Sequence, residues 1–190
     1  MAGCKPLSDS EIDLILKSFS GPFALRNKVL FMLGLSTGFR ISELLSIKID
    51  DVVNPDGTVK DYVQVHRRNT KGKIKSRSTP LLKYVHTDLT NLVLSLFVQN
   101  KKYLFSSRQG SEAVSASQGW RIITQVLFSA RIFETGTHRM RKTFAQKIYE
   151  ATQKNIYETQ KALGHKSIDS TTSYLQFDRE DLDLKINNLF

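Results

Sequence analysis

Thr137-His138-Arg139-Met140-Arg141, read with Leu163-Gly164-His165 and Tyr174 downstream, is the stretch around which the chain is organised. His138 and Arg141 are three residues apart in a segment with helical periodicity, so both side chains leave one face. A guanidinium beside an imidazole suits a phosphodiester: the planar fork grips two phosphate oxygens, and the ring moves a proton. Taken alone, the pair reads as a solvated helix face carrying a chance His and Arg. The surrounding sequence has to decide.

The 190 residues have the length of one domain, and 40% hydrophobic with 24% charged residues is an ordinary globular composition, which excludes disordered and collagen-like classes. The apolar run from Val29 to Leu35 is far too short to span a bilayer, and no basic segment followed by an apolar signal core opens the chain. A cytoplasmic protein with no membrane partner is expected. The single cysteine, Cys4, can form neither an intramolecular disulfide nor a metal cluster. A net charge of +10 favours a polyanionic partner, with nucleic acid ahead of membrane. The charge is also concentrated. Between Asp61 and Asp88 there is no acid, yet Arg67, Arg68, Lys71, Lys73, Lys75, Arg77 and Lys83 fall there. Lysines on an edge strand can serve only to deter aggregation, but seven basic residues without one acid exceed that need.

Ser8 and Glu11 form a capping-box pattern that predicts a helix from Asp9 to Ser18. Pro22 suits the first turn of a second helix, dense in apolar residues from Leu25 through Leu33 and ended by Thr37-Gly38. A short third helix follows, with Arg40 and Glu43 on one face and Ile41, Leu44 and Leu45 on the other. After the turn signal Asn54-Pro55-Asp56-Gly57, Tyr62 to Val65 reads as a strand, 69–73 as a hairpin tip, and Ile74 to Thr79 as the returning strand, stopped by Pro80. Leu89 to Phe97 repeats at helical spacing, and Tyr103-Leu104-Phe105 is an apolar connector. Ser115 and Gln118 open a helix that carries Trp120 toward the core, and Thr137 is the expected N-cap of the His138 helix. A further helix spans Ile156 to Leu163, with Gly164 as C-cap, and Ser167 starts another turn presenting Thr171 and Tyr174. Leu182, Ile186, Leu189 and Phe190 make the tail amphipathic, as a last core helix or an interaction element. The fold class expected is mainly α with a small antiparallel β-sheet.

No cluster of carboxylates suits Mg²⁺, since Asp50 and Asp51 are adjacent and point apart, and no Gly-x-x-x-x-Gly-Lys loop is present. Phosphoryl chemistry is therefore expected to need neither metal nor nucleotide cofactor. Positive side chains must then neutralise the transition state, beside a nucleophile and an acid for the leaving oxygen. Tyrosine can be the nucleophile, although a phenol with an ordinary pKa of about 10 needs a base or a strong positive field.

Thr37-Gly38-Phe39-Arg40-Ile41-Ser42-Glu43-Leu44, His138-Arg139-Met140-Arg141, and Leu163-Gly164-His165 followed by Tyr174 resemble, in order and spacing, the signature boxes of the tyrosine recombinases, also called the phage integrase family. The resemblance runs from about Leu7 to Phe177 and implies the catalytic-domain fold of that family of DNA breaking-rejoining enzymes. It implies that Arg40 and Arg141 clamp the scissile phosphate, that His165 adds a hydrogen bond to it, and that His138 takes part in proton transfer. Glu43 would orient its neighbours. Tyr174 would attack phosphorus to form a 3′-phosphotyrosyl link and release a 5′-hydroxyl. A hairpin lysine would be the general acid: Lys71 matches best, and Lys73, two residues on, is the alternative. Arg67, Arg68, Lys73, Lys75, Arg77, Arg139 and Lys142 are the further candidates for contact with double-stranded DNA.

The same resemblance implies bacterial, phage or plasmid origin and a tetrameric synapse on DNA, with residues 178–190 as a C-terminal helix passed between subunits. Many members carry a DNA-binding domain ahead of the catalytic one, whereas here residues 1–190 read as a single catalytic domain, either a minimal recombinase or a fragment. Two other functions stay open on sequence: type IB topoisomerase-like relaxation, and a DNA-binding regulator that keeps the fold without strand transfer.

Overall fold

The computed structural model describes residues 4–66, 69, 76–108, 111–133 and 136–175. Two units divide the chain between Phe144 and Ala145. The first opens with helix α1 (Asp9–Lys17), whose capping box is complete: Ser8 Oγ accepts from Glu11 N at 3.2 Å and Glu11 Oε2 accepts from Ser8 N at 2.8 Å. The other oxygen of the same carboxylate takes Arg139 Nη2 at 3.3 Å. Glu11→Ala therefore loses a cap and a partner of a buried cation together. A destabilisation of about 2 kcal/mol is expected, read from urea unfolding; an unchanged midpoint would contradict it.

Pro22 stands ahead of α2 (Ala24–Thr37) rather than in its first turn. Ala24 N donates to Gly21 O at 3.1 Å, so Pro22 occupies the second position of a tight turn, which its fixed φ suits equally well. From Val29 to Thr37 every residue of α2 is buried, as a helix apolar on all sides must be. It packs against α3 (Ile41–Leu45), α4 (Lys83–Val98) and α5 (Ala116–Ser129).

Between α3 and α4 lie a 3-10 turn (Ile49–Asp51) and an antiparallel pair, β1 (Tyr62–Val65) and β2 (Arg77–Pro80). Val63 faces Thr79 and Val65 faces Arg77, and the buried valines define the inner face of this ribbon. The returning strand begins at Arg77, since Ser76 is not part of it and Ile74 and Lys75 lie outside the described residues, and it includes Pro80 as its last paired residue, opposite Tyr62, where a missing N–H costs least. The connector at Tyr103-Leu104-Phe105 runs beside the segment after α3, with Ile49 N donating to Lys102 O and Leu104 N to Ile47 O. Leu104 and Phe105 are fully buried.

Trp120 is not core. It is 46% exposed, because the inward seam of α5 runs through Gly119, Ile123, Val126 and Leu127. A Cβ at Gly119 would lie 2.8 Å from Leu45 Cδ1 and 3.1 Å from Ile41 Cγ1. The close approach of α3 thus claims position 119 and turns the indole outward. Phe128, at 63% exposure, leaves the core in the same way and meets Phe133 edge-on at 5.5 Å.

Helix α6 (His138–Ala151) begins in the first unit. The second unit holds α7 (Ile156–Leu163) and α8 (Ile168–Thr172) packed on each other. Asn155 caps α7, its Oδ1 accepting from Tyr157 N and Glu158 N at 3.0 and 3.2 Å. The C-terminal end closes with His165 N donating to Gln160 O and Gly164 N to Lys161 O, the paired bonds of a Schellman turn. This mainly helical architecture with one small antiparallel sheet is the one periodicity predicts. No helix among the described residues is long and apolar enough to cross a membrane. Of the hairpin tip Asn69 is described, its N donating to His66 O at 2.9 Å, whereas residues 70–73 and 178–190 lie outside the described residues.

Candidate active site

Arg40 owes its position to how α2 ends. Gly38 adopts the left-handed conformation, φ +60°, and reverses the chain within one residue. Thr37, fully buried, gives its hydroxyl proton to Leu33 O at 2.6 Å and accepts from Phe39 N at 3.2 Å, which fixes the turn. Arg40 then caps α3 in extended geometry. Glu43, only 1% exposed, accepts Arg40 N on Oε2 at 2.8 Å and Arg40 Nη1 on Oε1 at 3.0 Å. A buried carboxylate is tolerable only when paired and hydrogen-bonded. Glu43 therefore holds Arg40 at both its backbone and its guanidinium, while that side chain keeps 25% of its exposure.

Arg141 reaches the same turn from α6. Its side chain is 1% exposed and Nη1 donates to Gly38 O. His138, the first residue of α6, is exposed. Helical spacing thus makes neighbours of the two along the helix, yet one is sunk and the other open to solvent. Lys142 is half-buried.

Two of the expected DNA contacts are placed otherwise. Arg139 is 3% exposed and paired with Glu11, so it ties α6 to α1. Arg77 lies on the inner face of the ribbon, its side chain 14% exposed. Its guanidinium carbon stands 4.8 Å from the Phe39 ring centroid, and Nη1 is 3.5 Å from Glu43 Oε2. Burial pushes the Arg77 guanidinium below its ordinary value, Glu43 pulls it back up, and Arg40 opposes its charge. Sequence reasoning assigned Arg77 to the surface because of its basic neighbours. Pairing opposite Val65 puts it on that valine's buried face. Arg67, Arg68, Lys71, Lys73 and Lys75 lie outside the described residues. Asp51 serves as a local cap, accepting Lys48 N and bonding His66 Nε2, both at 2.8 Å.

In the second unit His165 and Tyr174 stand together. Their ring centroids are 5.1 Å apart with an interplanar angle of 62°. His165 follows directly on the Gly164 turn, and its Nδ1 is 3.1 Å from the hydroxyl of the fully buried Thr171. That bond orients the imidazole. Tyr174 N donates to Thr171 O at 2.9 Å, so one threonine holds both rings. Tyr174 is half-buried, and Ser167 caps the α8 turn that leads to it.

The first unit thus gathers Arg40, Glu43, Arg77 and Arg141 about a single glycine turn, and the second pairs a histidine with a tyrosine. Residues 5–181 match the phage integrase family. The chain belongs to that family. Among its curated phage integrase relatives, the "Probable integrase/recombinase YoeC" of Bacillus subtilis is 30% identical over 155 residues, covering 82% of this chain and 80% of that protein. The tyrosine recombinase XerH of Campylobacter jejuni is 32% identical over 162 residues, covering 84% of this chain but 44% of that one. The fold is shared with solved tyrosine recombinases. A crystal structure of XerH bound to palindromic difH substrate, a post-cleavage complex, aligns over 96% of this chain and 52% of the other with a TM-score of 0.79 at 23% identity. That of XerA recombinase aligns over 97% and 65% with a TM-score of 0.77 at 23% identity. The chain therefore spans about half of the XerH proteins that it matches.

Proposed function

We propose that this phage integrase family member is a site-specific DNA recombinase that cuts and rejoins strands through a covalent bond to Tyr174. The observation that carries the reading is the pairing of Tyr174 with His165 on a threonine-anchored turn. The arginine-rich turn at Gly38 supplies the complementary half of the chemistry.

In this reading Arg40 and Arg141 neutralise the nonbridging oxygens of the scissile phosphate. Burial of Arg141 strips water from its guanidinium and so strengthens its pull on any phosphate that reaches it. His165 donates a further hydrogen bond, and His138 serves proton transfer with the tyrosine. The Tyr174 phenolate oxygen attacks phosphorus, and the bond to the 5′ oxygen breaks. Lys71, or Lys73 two residues on, delivers a proton to that oxygen, leaving a 5′-hydroxyl. Attack by the 5′-hydroxyl of another strand reverses the steps and completes transfer, so the bond energy stays in the intermediate and no external energy source is consumed. Arg67, Arg68, Lys75 and Lys142 provide phosphate contacts along the duplex. The work is done in the cytoplasm, as a tetrameric synapse in which residues 178–190 pass between subunits.

Relatives support the substrate class: the solved XerH chain is described as bound to its difH substrate after cleavage. The test is to lyse cells expressing the full chain in denaturant, recover the protein and sequence any DNA still attached. A recurrent sequence joined through a 3′-phosphate is expected. Recovery of no covalent DNA would overturn the reading, and sequence-specific binding without an adduct would mark a regulator instead. Ends scattered without sequence preference, with relaxation of plasmids lacking the site, would mark a topoisomerase-like enzyme.

A further inference from the structure

Arg77 has no place in the clamp just described, yet it touches both residues that flank Arg40 in the site. Phe39 precedes Arg40, and the Arg77 guanidinium lies 4.8 Å from its ring centroid. Glu43 holds Arg40, and Arg77 Nη1 lies 3.5 Å from the Oε2 atom that also accepts Arg40 N. With Phe39 and Glu43 both 1% exposed and the Arg77 side chain 14% exposed, the contact is largely withdrawn from water. We infer that Arg77 is a positioning residue: it shares the charge of Glu43, so that Arg40 is oriented by that carboxylate without being neutralised by it.

The electrostatic argument is one of division. A buried carboxylate with one cation nearby draws that cation in closely, because nothing else offsets its desolvation. Such a guanidinium would meet a phosphate already paired. A second arginine on the other side of the carboxylate carries part of the charge, and Arg40 keeps attraction to spare for an incoming anion. The stacking on Phe39 fixes where the second cation stands, since a guanidinium over an aromatic face is held in plane as well as in position. Arg77 is also the first residue of β2, so the same residue ties the returning strand of the hairpin to the turn that carries Arg40. A DNA contact and a purely structural ion pair are the competing roles, and the three predict different measurements.

The inference rests on the proposed function for its catalytic consequence, but not for its first test. The wild-type chain, Arg77→Gln and Arg77→Lys are treated with phenylglyoxal, and modification of Arg40 is followed by mass spectrometry. Buried Arg139 reports unfolding in the same digest. In Arg77→Gln, Glu43 closes on Arg40 alone, and Arg40 should react at least about three-fold more slowly with Arg139 still protected; Arg77→Lys, which returns a cation, should recover at least half of the difference. Unchanged Arg40 reactivity, or Arg139 becoming reactive in both variants, overturns the inference.

A second arm uses a nicked duplex built from the recovered site. Arg77→Gln should slow covalent adduct formation about ten-fold, with the salt dependence of DNA binding unaltered. Loss of a phosphate contact would instead lower that log–log slope by about 0.9, and that result would make Arg77 a DNA ligand. In a Glu43→Gln background the same substitution should change the rate less than about two-fold, because Arg77 acts through that carboxylate; a full ten-fold effect there overturns the inference. A wild type that forms no adduct on any duplex removes the proposed function, while the reactivity of Arg40 still decides the role of Arg77.

Discussion

Tyr174→Phe should form no covalent protein–DNA adduct, while binding duplex DNA as the wild type does. The change deletes one oxygen and keeps the ring, so the edge-on contact with His165 at 5.1 Å and the backbone bond to Thr171 O survive. Stability should change by no more than about 1 kcal/mol, the worth of an ordinary hydroxyl hydrogen bond. The chemical effect is of another order. Removing a nucleophile typically costs about 10⁴-fold or more, since the remaining groups stabilise a transition state that no longer forms. A nicked duplex carrying the recovered site, resolved on a denaturing gel, makes the comparison. Adduct that persists in the Phe variant would show that a different residue attacks phosphorus and would remove Tyr174 from the mechanism.

Gly38→Ala should be the most damaging single-methyl change in the first unit. Its φ of +60° strains any side-chain-bearing residue by about 1 kcal/mol. In addition, an added Cβ would be driven into the Phe144 ring, and relieving an overpacked contact typically costs about 1–3 kcal/mol. Together a loss of about 2–4 kcal/mol is expected in urea unfolding. Gly57→Ala is the matched control: φ there is +86°, but nothing lies within 4 Å of the new methyl, so only the backbone strain should appear. Equal losses at both positions would show that the Phe144 contact contributes nothing. Because Gly38 O accepts Arg141 and the next two residues are Phe39 and Arg40, the clamp should also be disturbed. Adduct formation should then fall further than the folded fraction accounts for.

The helices were legible because each carries its own punctuation. Ser8 with Glu11, Ser115 with Gln118, and Gly164 at the end of α7 are local signals, and each is realised with the expected bonds. The Arg40 turn was legible for the same reason, since Thr37-Gly38 is a stop and Glu43 is three residues from the arginine it holds. What sequence could not supply was which side of an element faces inward when a distant partner decides. Trp120 was expected in the core, and only the approach of Leu45 and Ile41 to Gly119 shows why it is not. Arg139 and Arg77 looked like two more members of a basic surface. Their burial depends on Glu11, 128 residues away from the first, and on Glu43, 34 residues away from the second. Composition counts charges, but an ion pair between remote segments leaves no trace in spacing.

The ties between α1 and α6 also set an order of events during synthesis. Leu7 N donates to Thr143 Oγ1 across 136 residues, and Arg139 reaches Glu11 across 128. A ribosome adding roughly 5–20 residues per second takes roughly 6–27 s to cover that separation. Helix α1 is therefore made well before the segment that clasps it. Through this interval the nascent chain holds the apolar side of α1, including Ile15 and Leu16, without the segment that finally clasps it. Arg141 is translated with the same late segment, so the turn at Gly38 waits for its second arginine until the same moment. A translating intermediate can possess the Arg40 turn, but it acquires the two-arginine cradle only when the α1 clasp can also close.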